Sequence, residues 1–120
     1  MTYYTTDYAN LVLGTWRGQP FSFNTIHVCL MVSPSSFGEV VAAEYARQPI
    51  TWTPNLAAGT LTNANEVRFP PSLGSWGTVN GIGYAKSLNG AIFQTEDTAA
   101  FNVPANRQVV FAPGDLIVQP

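Results

Sequence analysis

The segment "SWGTVNGIGYA", Ser75 to Ala85, limits the fold more than any other stretch of the chain. Read as a strand, it puts Trp76, Thr78, Asn80, Ile82 and Tyr84 on one face and Gly77, Val79, Gly81, Gly83 and Ala85 on the other. One face is bulky and the other nearly bare. A bare strand face admits close approach of a neighbouring sheet, a large side chain or another subunit. The competing reading takes Gly81-x-Gly83 as half of a dinucleotide-binding fingerprint, but the third glycine and the helix that must follow at once are missing. The chain leads instead to Leu88-Asn89-Gly90, where Asn-Gly signals a tight hairpin turn. Asn80-Gly81 is also able to turn, yet the second pair has the better flanks, so the first is assigned to the strand.

Strand and turn signals recur along most of the chain. In "FNTIHVCLMV", Ile26, Val28, Leu30 and Val32 alternate with His27, Cys29 and Met31, which predicts a strand that Pro34 stops. "ARQPITWT" reads as a strand with Ile50 and Trp52 on one face, and Pro49 confines it to an edge or a bulge. "NEVRF", "AIFQTED", "VVF" and "DLIV" read as four further short strands, the last two around the "APGD" turn. Helix signals are few. A short helix is predicted over Asp7–Leu13, with Thr6 as its cap, Tyr8, Leu11 and Val12 on one face, and Gly14 at its end. "EVVAAEYA" has the propensity for one or two further helical turns. The expected fold is all-β: one domain, an antiparallel β-sandwich or barrel-like structure, with residues 1–22 as an arm and short helix and residues 23–120 as the sandwich.

Charge decides which partners are open to such a domain. Only 10% of the residues are charged, against roughly 25% in an average soluble domain. Asn, Thr, Ser, Gly and Pro stand in their place, which suits a surface covered by other protein and equally suits the turns of an all-β domain. The net charge of −2 and the scattered cations offer no basic stripe, so nucleic acid is not an expected partner. No stretch reaches the roughly 18 apolar residues of a membrane span, and the N-terminus lacks the pattern of a signal peptide. The single cysteine makes no internal disulfide.

Catalytic chemistry finds no support in these residues. His27 and Cys29 share a strand face at a spacing of roughly 7 Å, beyond the hydrogen bond of a nucleophile–base pair, and are assigned to packing. One His and one Cys are too few for a zinc site. Glu96 and Asp97 are adjacent on a strand and point to opposite faces. No nucleophile elbow, phosphate loop or calcium loop is present, so a non-enzyme without cofactor or metal is expected.

Four motifs in fixed order carry a resemblance to a known family. Tyr45–Gln48 as "YARQ", Phe69-Pro70, Trp76–Val79 as "WGTV" and Gly114–Leu116 as "GDL" resemble the small virion proteins of tailed bacteriophages often labelled tail fibre, minor structural or decoration protein. The resemblance covers about the C-terminal two thirds of the 120 residues. It implies an all-β, sandwich-like structural protein of the virion, synthesised in the cytoplasm of the host bacterium. The implied partners are the major capsid protein or other virion subunits, and further copies of the chain, a trimer among the possibilities. A short chain without a fibrous repeat suits a many-copy accessory on a shell, so capsid cement or decoration is the first expectation. A tail-fibre or tail-associated receptor-binding role is the second. A small carbohydrate-binding module that stacks sugars on Trp16 or Trp52 is a third class.

Four residues are the expected interface: Tyr3, Tyr4, Trp16 and Arg47. The arm "MTYYTTDY" precedes the predicted helix and is not obliged to pack in the core; with Trp16 and the "GQPFSF" loop it is expected to contact a neighbour. Folding back on its own sheet, or fraying, is the competing outcome. The Arg47 fork is expected in an interstrand or intersubunit hydrogen bond, with a solvated edge charge as the other possibility. Trp76 is expected in the core beside "FPPS", not on a ligand platform.

Overall fold

Strand β8, Gly77–Ala85, lies in the middle of the largest sheet, hydrogen-bonded on one side to β2, His27–Ser33, and on the other to β9, Ile92–Val103. Both pairings are antiparallel. The computed structural model describes residues 2–18, 25–55 and 57–118. Strand β1, Thr2–Tyr4, adds to the free side of β9, with Thr2 opposite Glu96 and Tyr4 opposite Gln94. The outer edge of β2 is taken in turn by β3, Gly38–Glu39, and β4, Gln48–Pro49. Two small antiparallel sheets complete the fold. One joins β5, Trp52–Asn55, to β6, Thr60–Asn63, and β11, Ile117–Val118; the other joins β7, Val67–Arg68, to β10, Val110–Phe111. The fold is all-β with one short N-terminal helix, as expected.

The core sits between the large sheet and the small ones. Val28, Leu30, Ile82 and Tyr84 from the large sheet cluster with Ile50, Val67, Phe69, Leu116 and Val118. On the opposite face of the large sheet, Cys29, Met31 and Ala85 form a second buried cluster with Phe37 and Ile92. That face is where the bare side of β8 lies. A Cβ at Gly81 would collide with the Pro34 ring and the Glu96 carbonyl, and one at Gly83 would stand 2.7 Å from Met31 Sδ. The glycines are therefore scaffold: Pro34, in a 3-10 turn over Pro34–Ser36, and Met31 occupy the space that side chains would need. Thr95 fixes that turn by donating its hydroxyl to the Pro34 carbonyl at 2.7 Å. Gly81→Ala is expected to cost about 1–3 kcal/mol in urea unfolding, because one of the atoms it meets belongs to the backbone of β9. A variant as stable as the parent would show that the Pro34 turn shifts freely.

The sequence reading needs correction at several points, each for a local physical reason. A register shift between Val79 and Gly81 breaks the simple alternation of β8. Asn80 instead sends its amide to the Val32 carbonyl at 2.8 Å, and Val79 joins Ile82 and Tyr84 in the core. The helix, α1, covers Thr6–Trp16, longer than expected; Thr5 is its cap, accepting from Tyr8 N at 3.2 Å. Gly14 lies buried within it, and the left-handed residue that follows is Gly18, φ 78°. "EVVAAEYA" forms no helix, because Val40 N bonds the Leu30 carbonyl and Tyr45 is drawn between Phe69 and Trp76, contacts that outweigh propensity. "ARQPITWT" splits at Ile50-Thr51 into β4 and β5, which belong to different sheets. Pro49 sits on the edge, where its missing N–H costs nothing. The hairpin turn is wider than two residues, with Lys86 N bonded to Ala91 O and Gly90 N to Ser87 O. Finally, "AIFQTED" is only the first half of β9, which runs on to Val103 and pairs with Gly77.

Candidate interaction surface

Among the expected interface residues, Arg47 is placed most tightly. Between β3 and β4 the chain leaves the edge of β2, and Tyr45 is anchored there by accepting from Leu30 N at 3.0 Å and donating to Glu39 Oε2 at 2.6 Å. Arg47 meets the same carboxylate with both arms of its fork, Nε to Oε2 and Nη2 to Oε1, each at 3.0 Å. Its Nη1 reaches the β8–β9 hairpin, donating to Gly90 O at 2.6 Å and Ser87 O at 3.2 Å. The fork thus ties the edge elements to the hairpin within one chain, the interstrand form of the expectation. Burial pushes the Glu39 carboxyl up, but the Arg47 and Tyr45 hydrogen bonds outweigh it and hold the group below the usual carboxylate range. Burial, together with the Glu39 carboxylate, pushes the Tyr45 phenol up.

The N-terminal residues do not stand apart from the domain. Tyr3 lies in β1 and donates its hydroxyl to Asp97 at 3.2 Å. Tyr4 stacks on Tyr8 with 5.7 Å between ring centres, and Tyr8 in turn leans on Phe93 at 4.9 Å. The arm folds back on its own sheet, and helix α1 is held there by Tyr8. Among the described residues three large apolar side chains of β1 and α1 stay uncovered beside exposed Thr6, Asn10 and Thr15: Tyr4 is 46% exposed, Leu13 61% and Trp16 88%. Tyr4, Tyr8, Ala9, Val12 and Leu13 line a groove of about 420 Å³ along the helix. Most of the "GQPFSF" loop, residues 19–23, lies outside the described residues.

The other singled-out side chains serve the fold. Trp76 is 6% exposed and belongs to the main core cluster, with its indole N–H donated to Glu44 Oε1 at 2.7 Å. Trp52 is half-buried against Tyr84, 5.8 Å between ring centres. Cys29 is fully buried, and burial pushes its thiol up, away from the thiolate a nucleophile needs. His27 donates Nδ1–H to the Thr25 carbonyl at 3.1 Å. Among the described residues no three His, Cys, Asp or Glu side chains gather as metal ligands. No helix among them is long and apolar enough to cross a membrane.

One surface was not legible in the sequence. The end of β9, the turn after Pro104 and strand β10 border an open, shallow cleft of about 660 Å³, lined by Phe101, Asn102, Arg107, Gln108, Val110 and Phe111 among others. These residues are spread over two strands and a turn, so no local motif announces them. Buried Ser72 organises the turn: its hydroxyl accepts from Arg107 N at 3.0 Å and lies 2.7 Å from the Pro104 carbonyl that it donates to. The Ser72 backbone closes the clamp, with N to Arg107 O and O from Asn106 N.

Comparison with known proteins gives the chain its relatives. No curated protein matches it. A family model described as Podophage GP4 fiber I protein gp80 matches residues 3–119, which carries the likeness through the N-terminal third where the sequence motifs were few. With virtually its whole length aligned to that model, the chain belongs to the podophage GP4 fiber I protein gp80 family, a family of tailed-phage virion structural proteins.

Proposed function

We propose that the protein is a non-enzymatic component of the phage tail fibre, attached to its neighbours through the exposed side of helix α1. The fibre description of the family favours the tail over the capsid-cement role that a short chain without a fibrous repeat suggested. The observation that carries the attachment surface is the apolar strip of Tyr4, Leu13 and Trp16. Large apolar side chains, Trp above all, act as interface anchors, and a contiguous exposed patch of them is uncommon on a monomer. Tyr3 flanks the strip on the edge strand β1. Arg47 lies outside this surface because its fork is occupied within the chain.

Two measurements test the reading. Quantitative immunoblots of intact particles and of tailless heads should find the protein in the former and lose it in the latter. Its presence in heads in amounts near those of the major shell protein would restore the cement role. The double variant Leu13→Ser/Trp16→Ser should fold with little change in stability, since both side chains are exposed, yet fail to enter particles. Normal incorporation of that variant would place the attachment surface elsewhere.

A further inference from the structure

The cleft between β9 and β10 carries a cation whose side chain has no partner among the described residues. Arg107 is exposed, and its guanidinium makes no hydrogen bond or ion pair with any described residue, although the backbone that carries it is clamped by Ser72. The other two lining side chains with polar heads are carboxamides. Asn102 is likewise without a partner among the described residues, whereas Gln108 is fixed by donating to the Phe69 carbonyl at 2.8 Å and accepting from Arg68 at 3.1 Å. No Asp or Glu lines the cleft, in a chain whose net charge is −2. Exposed Val110 and the outer parts of Phe101 and Phe111, whose rings are half-buried against the main core, give it apolar ground between these groups.

That combination has a chemical counterpart. Aromatic surface accepts the C–H faces of a pyranose ring, carboxamides exchange hydrogen bonds with its hydroxyls, and an unpaired guanidinium takes a carboxylate or phosphate with two parallel bonds. We propose that this cleft binds a saccharide carrying an acid group, with Arg107 receiving the acid, Asn102 and Gln108 the hydroxyls, and Phe101 and Phe111 the ring. The site is separate from helix α1, so attachment and saccharide binding use different surfaces. Only the biological use of the site, contact with a glycan outside the virion, rests on the fibre reading; the binding itself does not.

Preorganisation supports the assignment. A guanidinium on a loose loop would lose much of its binding free energy to ordering, whereas here the turn at 104–107 is pinned on both sides by one buried serine. Asn106 completes that turn in the left-handed region, φ 61°, which Asn tolerates better than most residues.

The test uses the isotope-labelled full chain and a panel of probes: oligogalacturonate, a sialylated oligosaccharide and a phosphorylated oligosaccharide, each beside a neutral counterpart. At least one acidic probe should shift amide resonances of residues 101–111 and bind more tightly than its neutral counterpart, with affinity falling as salt is added. Arg107→Ala should weaken that binding about ten-fold or more with the melting temperature unchanged, and Arg107→Lys should restore part of it. Three results would overturn the proposal: no response across the panel, equal binding of acidic and neutral probes with Arg107→Ala harmless, or an acidic peptide moving the same resonances more strongly than any saccharide. Because the titration uses isolated protein and the tail location is read from particles, failure of one leaves the other standing.

Discussion

Trp76→Ala should lower the free energy of unfolding by about 3–5 kcal/mol, the range for removing a buried large aromatic. The ring is 6% exposed and stands edge-on to Tyr45 with 5.5 Å between ring centres, in the same cluster as Phe69 and Val79. Its loss would leave a void between the large sheet and the segment after Phe69, and would remove one of the two donors on Glu44 Oε1, the other being Leu73 N at 2.9 Å. The Trp76 and Leu73 hydrogen bonds hold the Glu44 carboxyl down at about 2. A depressed carboxyl contributes stability that is present above its unfolded value, about 4.5, and is lost as pH falls towards 2. Trp76→Phe keeps most of the ring but not the N–H, so its Glu44 carboxyl should lie closer to 4.5 and its loss of stability between pH 4.5 and 2 should be smaller than the parent's. Urea unfolding at neutral pH and between pH 4.5 and 2 checks both points. A Trp76→Ala domain of parental stability would return the ring to the role of a ligand platform.

The parts of this fold that sequence made legible are those in which one strand's own pattern decides the outcome. In β2, Val28 and Leu30 face the main core and Cys29 and Met31 the second cluster, as alternation requires, although Val32, expected on the inner face, is exposed at the strand's end; Pro49 falls on an edge because proline has no ladder hydrogen bond to give. What escaped depends on partners remote in sequence. Tyr45 keeps residues 40–47 out of a helix through Leu30, Phe69 and Trp76, and none of these is visible from "EVVAAEYA" itself. Val79 reaches the core through a bulge at which the Asn80 amide meets the Val32 carbonyl of another strand. The same distinction governs the surfaces. Trp16 and Tyr4 could be nominated as large apolar residues near a terminus, but the cleft around Arg107 needs Ser72, Phe101 and Phe111 brought together, and only the folded chain does that. Arg47 was recognisable as a fork in a chain short of charge; that its acceptors are Glu39 and two hairpin carbonyls was not.

Arg47→Ala is expected to destabilise the domain by about 2–4 kcal/mol, below the 3–5 kcal/mol typical for one half of a fully buried pair because both side chains keep some exposure, 15% for Arg47 and 19% for Glu39. The penalty has two parts. Glu39 would remain in a largely buried position with Tyr45 as its hydrogen-bond donor, and the carbonyls of Ser87 and Gly90 would lose the group that fastens the hairpin to β3 and β4. Arg47→Lys restores a charge but reaches only one of these acceptor sets at a time, so it should recover part of the stability without the hairpin contact. The first part is isolated by Arg47→Ala/Glu39→Gln, which removes the stranded charge and should be more stable than Arg47→Ala alone. The sign of the pH dependence follows. In the parent, the Glu39 carboxyl lies below its usual range, so the pair's stabilisation is present above about 4.5 and fades as pH falls below it. In Arg47→Ala burial is no longer offset, the carboxyl rises, and protonation relieves the stranded charge, so the gap between variant and parent should narrow on acidification. Amide exchange at residues 87–91 reads the second part and should quicken in Arg47→Ala and Arg47→Lys alike. If Arg47→Ala kept both the parental stability and slow exchange in the hairpin, the fork would be a surface ornament, and its use between subunits would become the better account.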